Sequence, residues 1–574
     1  MIPWSLNRIP VLAVLFPVLG LMAGCTSQTE KPAAKSTADT TASAEDECQS
    51  RLATAVKRVA PESLATQSRR EPVVNAMNAW MAACGETDVR ALKISDANLA
   101  YLSDANKRTA STIRFSENDI LYVRDAMILK GLTESVWKQA DAAANGSATD
   151  KARVVGLFQH LIRNISLIPA SESRVPSGLY EVMMTGRGTV DDRIWAFAEA
   201  LRQRQLDMVL LKAASPSTGA GSIPDSADLL VGVFVDKTCL LFDPLRGTAV
   251  PKAEDPSALV TDPATHEILA GHDRWKNGEI LAVCHPSAAA PRMLVLQNRM
   301  SAADTVVLYE ELAGGTSEIR PLKDRVSEVT GNVWPAEKLK LWEVPEQRVS
   351  AAATLTEQQK QEYTMLMRPF DSPFERESLE IEKLITDPNV DESKMSDEEK
   401  LALRSEALEK VLERADSLFG RPSRRLLKAR VSQISGDFEL GVIQDLQQIR
   451  IACLQEKVEL DIPLDQKRAA VIPFALPKSI LDVQKSAVSD TLYWTALSQI
   501  SRRDIGTAIA TLRNYRRQYP NEKMTYPSML NECEALVELG DKATAVKVAQ
   551  EAVNDANPER ARAEWLASRL AAAP

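Results

Sequence analysis

A chain of 574 residues is too long for one hydrophobic core, so several domains are expected. Its 45% hydrophobic and 26% charged content is ordinary for a folded protein and argues against wholesale disorder. The formal charge of -9, with acidic and basic residues interspersed, gives no electrostatic reason to expect nucleic acid as a partner, because phosphate binding needs a concentrated basic surface.

At the N-terminus, Arg8 supplies a positive segment, residues 9–21 form an apolar run too short for a comfortable membrane span, and Met22-Ala23-Gly24-Cys25 closes it. The pattern resembles a bacterial lipoprotein signal, with Met22 where the best-known lipobox has leucine. The resemblance implies a lipidated Cys25 as mature N-terminus and an exported protein held on a lipid bilayer through that residue. An ordinary secretory signal or an uncleaved anchor is the competing reading. Thr26, Ser27 and Gln28 include no aspartate, which by resemblance to familiar sorting rules favours the outer membrane and a periplasm-facing body. Residues 1–25 are thus the signal, and 26–45, almost all Ser, Thr, Ala and Lys, are expected to be a disordered tether.

Export changes the meaning of the other six cysteines, since thiols can oxidise there. Cys48 and Cys84 fall on consecutive predicted helices and could staple them, although connectivity does not follow from sequence. No C-x-x-C pair occurs, and none of His160, His266, His272 and His285 shares a metal-ligand helix spacing with another. Cys284-His285 are adjacent, and on a strand neighbours point to opposite faces. No metal site and no cofactor is expected.

Residues 46–168 carry helical periodicity, with Val73, Met77, Trp80 and Met81 on one stripe and Val154, Leu157, Phe158, Leu161, Ile162 and Ile165 on another. A break is predicted at Asn145-Gly146-Ser147, with Asp150 capping the next helix. The segment 169–350 is expected to be an α+β domain. Gly186 and Gly188 flank Arg187 in a tight turn, and a helix starts near Asp191 or Asp192. A strand follows at 208–211, and a hairpin of 229–235 and 239–242 turns at Asp236-Lys237-Thr238. Strand-like runs at 293–296, 305–309 and 339–344 extend the sheet.

A glycine-rich turn, a helix with Phe197 and Leu201-Arg202, a strand, and a hairpin closing on Phe242-Asp243-Pro244 together resemble the transglutaminase-like domain, a relative of papain-type cysteine enzymes. The resemblance covers roughly residues 150 to 250. It implies a cysteine nucleophile at the helix start, a histidine at the next hairpin strand and an aspartate on its partner. Thr189, Val190 and Asp191 occupy the cysteine's place, and Asp228 and Leu229 the histidine's. Only Asp243 matches its implied catalytic role, and it can equally be the turn-former of an Asp-Pro strand exit. Gly186, Arg187, Gly188 and Thr189 then mark a degenerate nucleophile turn, and Cys239 is a buried strand cysteine.

Helices resume at 356–462, with charged amphipathic runs at 379–385 and 406–418 and a helical hairpin at 422–455 turning at Ser435-Gly436-Asp437. A proline-rich break spans 463–477. Residues 478–574 then hold two helix-turn-helix units, with Ala508 and Ala545 37 residues apart. These resemble tetratricopeptide repeats, which implies a groove for a protein or peptide partner. The function expected is a non-catalytic binding or scaffolding lipoprotein of the envelope. The alternative is an active cysteine-type peptidase or amide transferase with a displaced nucleophile.

Overall fold

In the computed structural model the apolar stripe Val73, Met77, Trp80 and Met81 is buried, as the periodicity requires. The structure describes residues 44–64, 70–92, 94–169, 178–213, 229–251, 278–314, 319–330, 336–370, 395–419, 424–436, 439–465 and 468–572, with 172, 175 and 393 as isolated positions. Cys25, the tether before residue 44, His266, His272 and the run 379–385 lie outside them. Among the described residues the chain is mainly helical around one mixed six-stranded sheet.

Helix α1 (Ala44–Val59) packs on α2 (Arg70–Trp80), which runs on into a π-helical turn at Met81–Gly85. A disulfide between Cys48 and Cys84 joins the two. The long α3 (Glu117–Ala143) begins at a capping box of Ser116 and Asp119. Thr149, not Asp150, caps α4 (Asp150–Asn164); its hydroxyl oxygen accepts from the Ala152 amide, and Asp150 is the first helical residue. Two-residue strands β1 (Ser166–Leu167) and β2 (Arg187–Gly188) pair in parallel around α5 (Leu179–Thr185) and lead into α6 (Val190–Arg202).

The main sheet has the order β6-β5-β4-β3-β7-β8. Its members are β3 (Met208–Lys212), β4 (Leu229–Val235), β5 (Thr238–Asp243), β6 (Thr248–Ala249), β7 (Glu279–Ala282) and β8 (Leu339–Leu341). All pairs are antiparallel except β7 with β8. The run Leu-Leu-Val-Gly-Val-Phe-Val of β4 has no polar face because both sides of the sheet are covered. Val231, Val233, Leu240 and Phe242 face the core shared with α3, α4 and α6, while Leu230, Phe234, Cys239 and Leu241 face the core shared with α1 and α2. The rings of Phe158, Phe197 and Phe242 meet at 4.8–5.4 Å, fixing α4, α6 and β5 to one another.

Two expected strands are absent. Residues 293–296 belong to helix α7 (Pro291–Arg299), since a short apolar run buried all round suits either element and Pro291 at the first position favours a helix start. Residues 305–309 join no ladder. Side chains take the place of a strand partner there: the amides of Val307 and Leu308 donate to the carboxamides of Gln203 and Gln297.

The C-terminal third begins with α8 (Asp397–Leu418), α9 (Arg425–Ile434) and α10 (Leu440–Cys453). The expected proline-rich break is instead a hairpin of β9 (Lys457–Asp465) and β10 (Arg468–Ala475). In a two-stranded ribbon every strand has an outer edge, where prolines such as Pro463 and Pro473 forfeit no ladder bond. Five antiparallel helices follow: α11 (Lys478–Ser501), α12 (Ile505–Gln518), α13 (Thr525–Leu539), α14 (Lys542–Ala552) and α15 (Arg560–Ala572). Ala508, Ala545 and Ala549 are fully buried between neighbouring helices.

The disulfide closes a loop of 36 residues, so the double variant Cys48→Ser/Cys84→Ser should lose about 3–4 kcal/mol of stability in the N-terminal block. Denaturant midpoints of the two proteins, followed by circular dichroism, give the check; equal midpoints would contradict it.

Candidate functional site

The glycine-rich turn is built by close approach. Gly186 ends α5 with φ +66°, and a Cβ there would stand 3.0 Å from both Arg430 Nη2 and Asn164 O. At Gly188 a Cβ would meet the Asp192 side chain at 2.9 Å. Arg187 is spent on a two-pronged pair with Glu172 at 2.7 and 2.9 Å.

Thr189 caps α6. Its hydroxyl oxygen accepts from the Asp192 amide at 3.3 Å, and its own amide donates to Asp192 Oδ2 at 2.6 Å. Asp192, not Asp191, is the carboxylate of this box, and Arg348 lies 3.7 Å from its other oxygen. Thr189 therefore serves the helix end.

Asp243 makes a turn. Its Oδ1 accepts from the amides of Leu245 and Arg246 at 3.0 and 2.9 Å, and its Oδ2 from the Arg246 guanidinium at 2.6 Å. The β4–β5 register, with Val231 opposite Phe242, brings buried Leu229 to the same end of the sheet. Arg193, one residue beyond Asp192, donates to Pro244 O at 3.4 Å and so ties the start of α6 to this turn. The three positions singled out in the sequence thus share one corner, which carries threonine, leucine and a turn-forming aspartate.

No described cysteine serves this corner. Cys239 is on the sheet face opposite the one α6 covers. Cys284 follows β7 outside any strand, and burial pushes its thiol up to about 12, with Glu310 and Glu199 adding to the effect and Arg202 opposing it. Its neighbour His285 stacks on Tyr122 at 4.3 Å and accepts from the Ser287 amide through Nδ1. Burial pulls that imidazole down to about 3, so it is neutral and held as a structural ring. His160 is likewise pulled to about 4 by burial, against its contact with Ile434 O. No group of three or more metal-ligating side chains occurs among the described residues.

Sequence reasoning missed what does fill the corner. Arg193 Nη2 pairs at 2.9 Å with Glu559 Oε1, which also accepts from the Leu167 amide at 3.1 Å. The other oxygen of Glu559 takes Arg562 at 3.0 Å, and Arg562 continues to Glu534 at 2.5 Å. Arg163 then bridges Glu534 and Glu538 at 3.0 and 3.2 Å, and Arg503 closes the row on Glu538 at 2.7 Å. Arg193, Glu559 and Arg562 are at most 2% exposed. Gly247, with φ +64°, lets the Arg562 stem pass, since a Cβ there would stand 3.3 Å from its Cδ. A second joint lies behind Gly186: Arg430 of α9 donates to Met183 O and Met184 O at the end of α5 and lies 4.4 Å over the Trp494 ring of α11. The sequence offers one hint of the row, an arginine at 193 beside the apolar run Ile194–Ala198 of a buried helix.

Comparison of the chain with protein-family models, with curated proteins and with solved structures finds no match.

Burial alone would raise the Glu534 carboxyl, but Arg562 and Arg163 outweigh it and hold it at about 2, below its ordinary 4.5. Glu559 is lowered for the same reason by Arg193 and Arg562. A carboxyl depressed in the folded state stabilises above its unfolded value and loses that contribution as pH falls toward the folded one. Acid should therefore weaken the junction between about pH 4.5 and 2, by about 3 kcal/mol for Glu534. Denaturant midpoints taken across that range should fall steeply in the native chain and less steeply in Glu534→Gln; parallel curves would refute the assignment.

Proposed function

We propose that this protein is a non-catalytic binding or scaffolding protein, tethered to the bacterial envelope through Cys25, whose central domain is a degenerate transglutaminase-like fold and whose C-terminal helices are tetratricopeptide-like. The observation that carries the reading is the occupied corner. Thr189 is committed to its helix cap, Leu229 is buried, Asp243 is committed to its own turn, and Arg193, paired with Glu559, donates to Pro244 O beside Asp243. Acyl transfer through a thiolate needs a low-pKa sulfur next to a base. Burial instead holds Cys284, Cys453 and Cys533 at about 12, well above the ordinary thiol value. Among the described residues no helix is long and apolar enough to cross a membrane, which is compatible with a body held by lipid alone.

Two experiments test this. A thiol-reactive activity probe should leave the native protein unlabelled at Cys239, Cys284, Cys453 and Cys533, and should label them after denaturation. Saturable, pH-dependent labelling of Cys239 or Cys284 that also blocks an amide-cleaving or amide-exchanging activity would return the protein to the enzymes. For the anchor, Cys25→Ser should move the protein from the membrane fraction to the soluble one and abolish incorporation of radiolabelled palmitate. Retention in the membrane without label would point to an uncleaved apolar segment.

A further inference from the structure

We infer that the cavity where the start of α10 meets the end of α11 binds a short extended peptide segment, recognised through its backbone amides. The inference rests on the binding reading above and gives it a place and a ligand class. The cavity encloses about 400 Å³, near the lower end of the roughly 300–1,000 Å³ typical of built ligand sites. It lies at the helix ends of the stack and meets the ion-pair row only at its exposed end, Arg503.

Three carboxamides line it: Gln444 and Gln447 from α10, and Gln499 from the last turn of α11. Gln444 and Gln447 are exposed and three residues apart, so they stand together on one helix face. Gln499 is different. It is 5% exposed, and its Oε1 is buried with no hydrogen-bond partner. Its main-chain oxygen accepts from the Asp504 amide at 3.0 Å, which fixes the backbone beside the cavity. A buried amide oxygen without a donor is costly. The terminal torsion of glutamine is broad, so rotation can turn that oxygen toward the cavity its own residue lines.

The missing group is an N–H. A carboxamide carries both N–H donors and a carbonyl acceptor, the same complement that a peptide group presents, so three in one cavity match successive amides of a chain. Leu440, 54% exposed, and buried Ile443 add an apolar shelf for one ligand side chain. The charges of the rim nearly cancel: Arg503 is paired with Glu538, and Arg502 and Asp504 add one charge of each sign. A polyanion gains little in such surroundings. Among the described residues no aromatic side chain lines the cavity to offer a sugar ring a stacking face.

The test titrates the full chain into a dye-labelled alanine-leucine pentapeptide with both ends blocked, read by fluorescence anisotropy, with an N-acetylglucosamine tetramer as competitor. Saturable binding is expected, weakened at least tenfold in Gln444→Ala/Gln447→Ala with an unchanged melting curve, because both residues are exposed. Gln499→Leu should weaken it as much. Absence of saturation, equal binding in the double variant, or displacement of the peptide by the sugar would each overturn the inference. Thiol labelling interrogates the sheet domain independently of this cavity, so the two readings can fail separately.

Discussion

The position of the C-terminal helices on the sheet domain depends on seven side chains of alternating charge: Arg193, Glu559, Arg562, Glu534, Arg163, Glu538 and Arg503. Desolvation of charge works against such a row, and a well-packed apolar interface of the same size could equal or exceed its net stability. The row differs from an apolar interface in what it forbids. Sliding α15 by one residue would leave Arg193 or Glu559 buried and unpaired, at roughly 3–5 kcal/mol each. Apolar surfaces tolerate such a slip far better, so the charges set the register of docking while the surrounding Leu, Ala and aromatic side chains supply the burial.

The glycines of the corner make the same point from the backbone side. Gly186 admits Arg430 and Gly247 admits Arg562, and both sit at positive φ. Gly186 is thus required by conformation and by the passage of Arg430, and Gly247 by conformation and by the close approach of Ile162 and Arg562. A Gly-Arg-Gly turn in sequence suggests a loop shaped for catalysis or for a ligand. In the folded chain Gly186 makes room for the distant Arg430, and Gly188 for the nearby carboxylate of Asp192.

What was legible in the sequence follows from the range of each interaction. Helical stripes such as Val73 to Met81 and the β4–β5 hairpin, two apolar runs about a short polar turn, are local signals and can be placed from the nearby sequence. The hairpin β9–β10 was hidden because its prolines resemble a break until the strands are known to have free edges. Residues 305–309 looked like a strand because their composition suits one, yet Gln203 and Gln297 satisfy the backbone instead. In the candidate site, the absence of cysteine and histidine could be seen from residue identities. Its filling could not, because Arg193 and Glu559 are 366 positions apart and nothing in either neighbourhood names the other.

These features constrain one another through solvent. A thiolate–imidazole pair needs a cleft open enough to admit substrate and polar enough to stabilise charge that appears and disappears during a reaction. The inner part of the row, Arg193, Glu559 and Arg562 at 1–2% exposure, needs the opposite, a closed junction in which each charge has a fixed partner. The same corner cannot meet both demands. On the proposed reading, the loss of the catalytic groups and the docking of the helices are two sides of one physical choice, a closed and rigid junction in place of an open cleft.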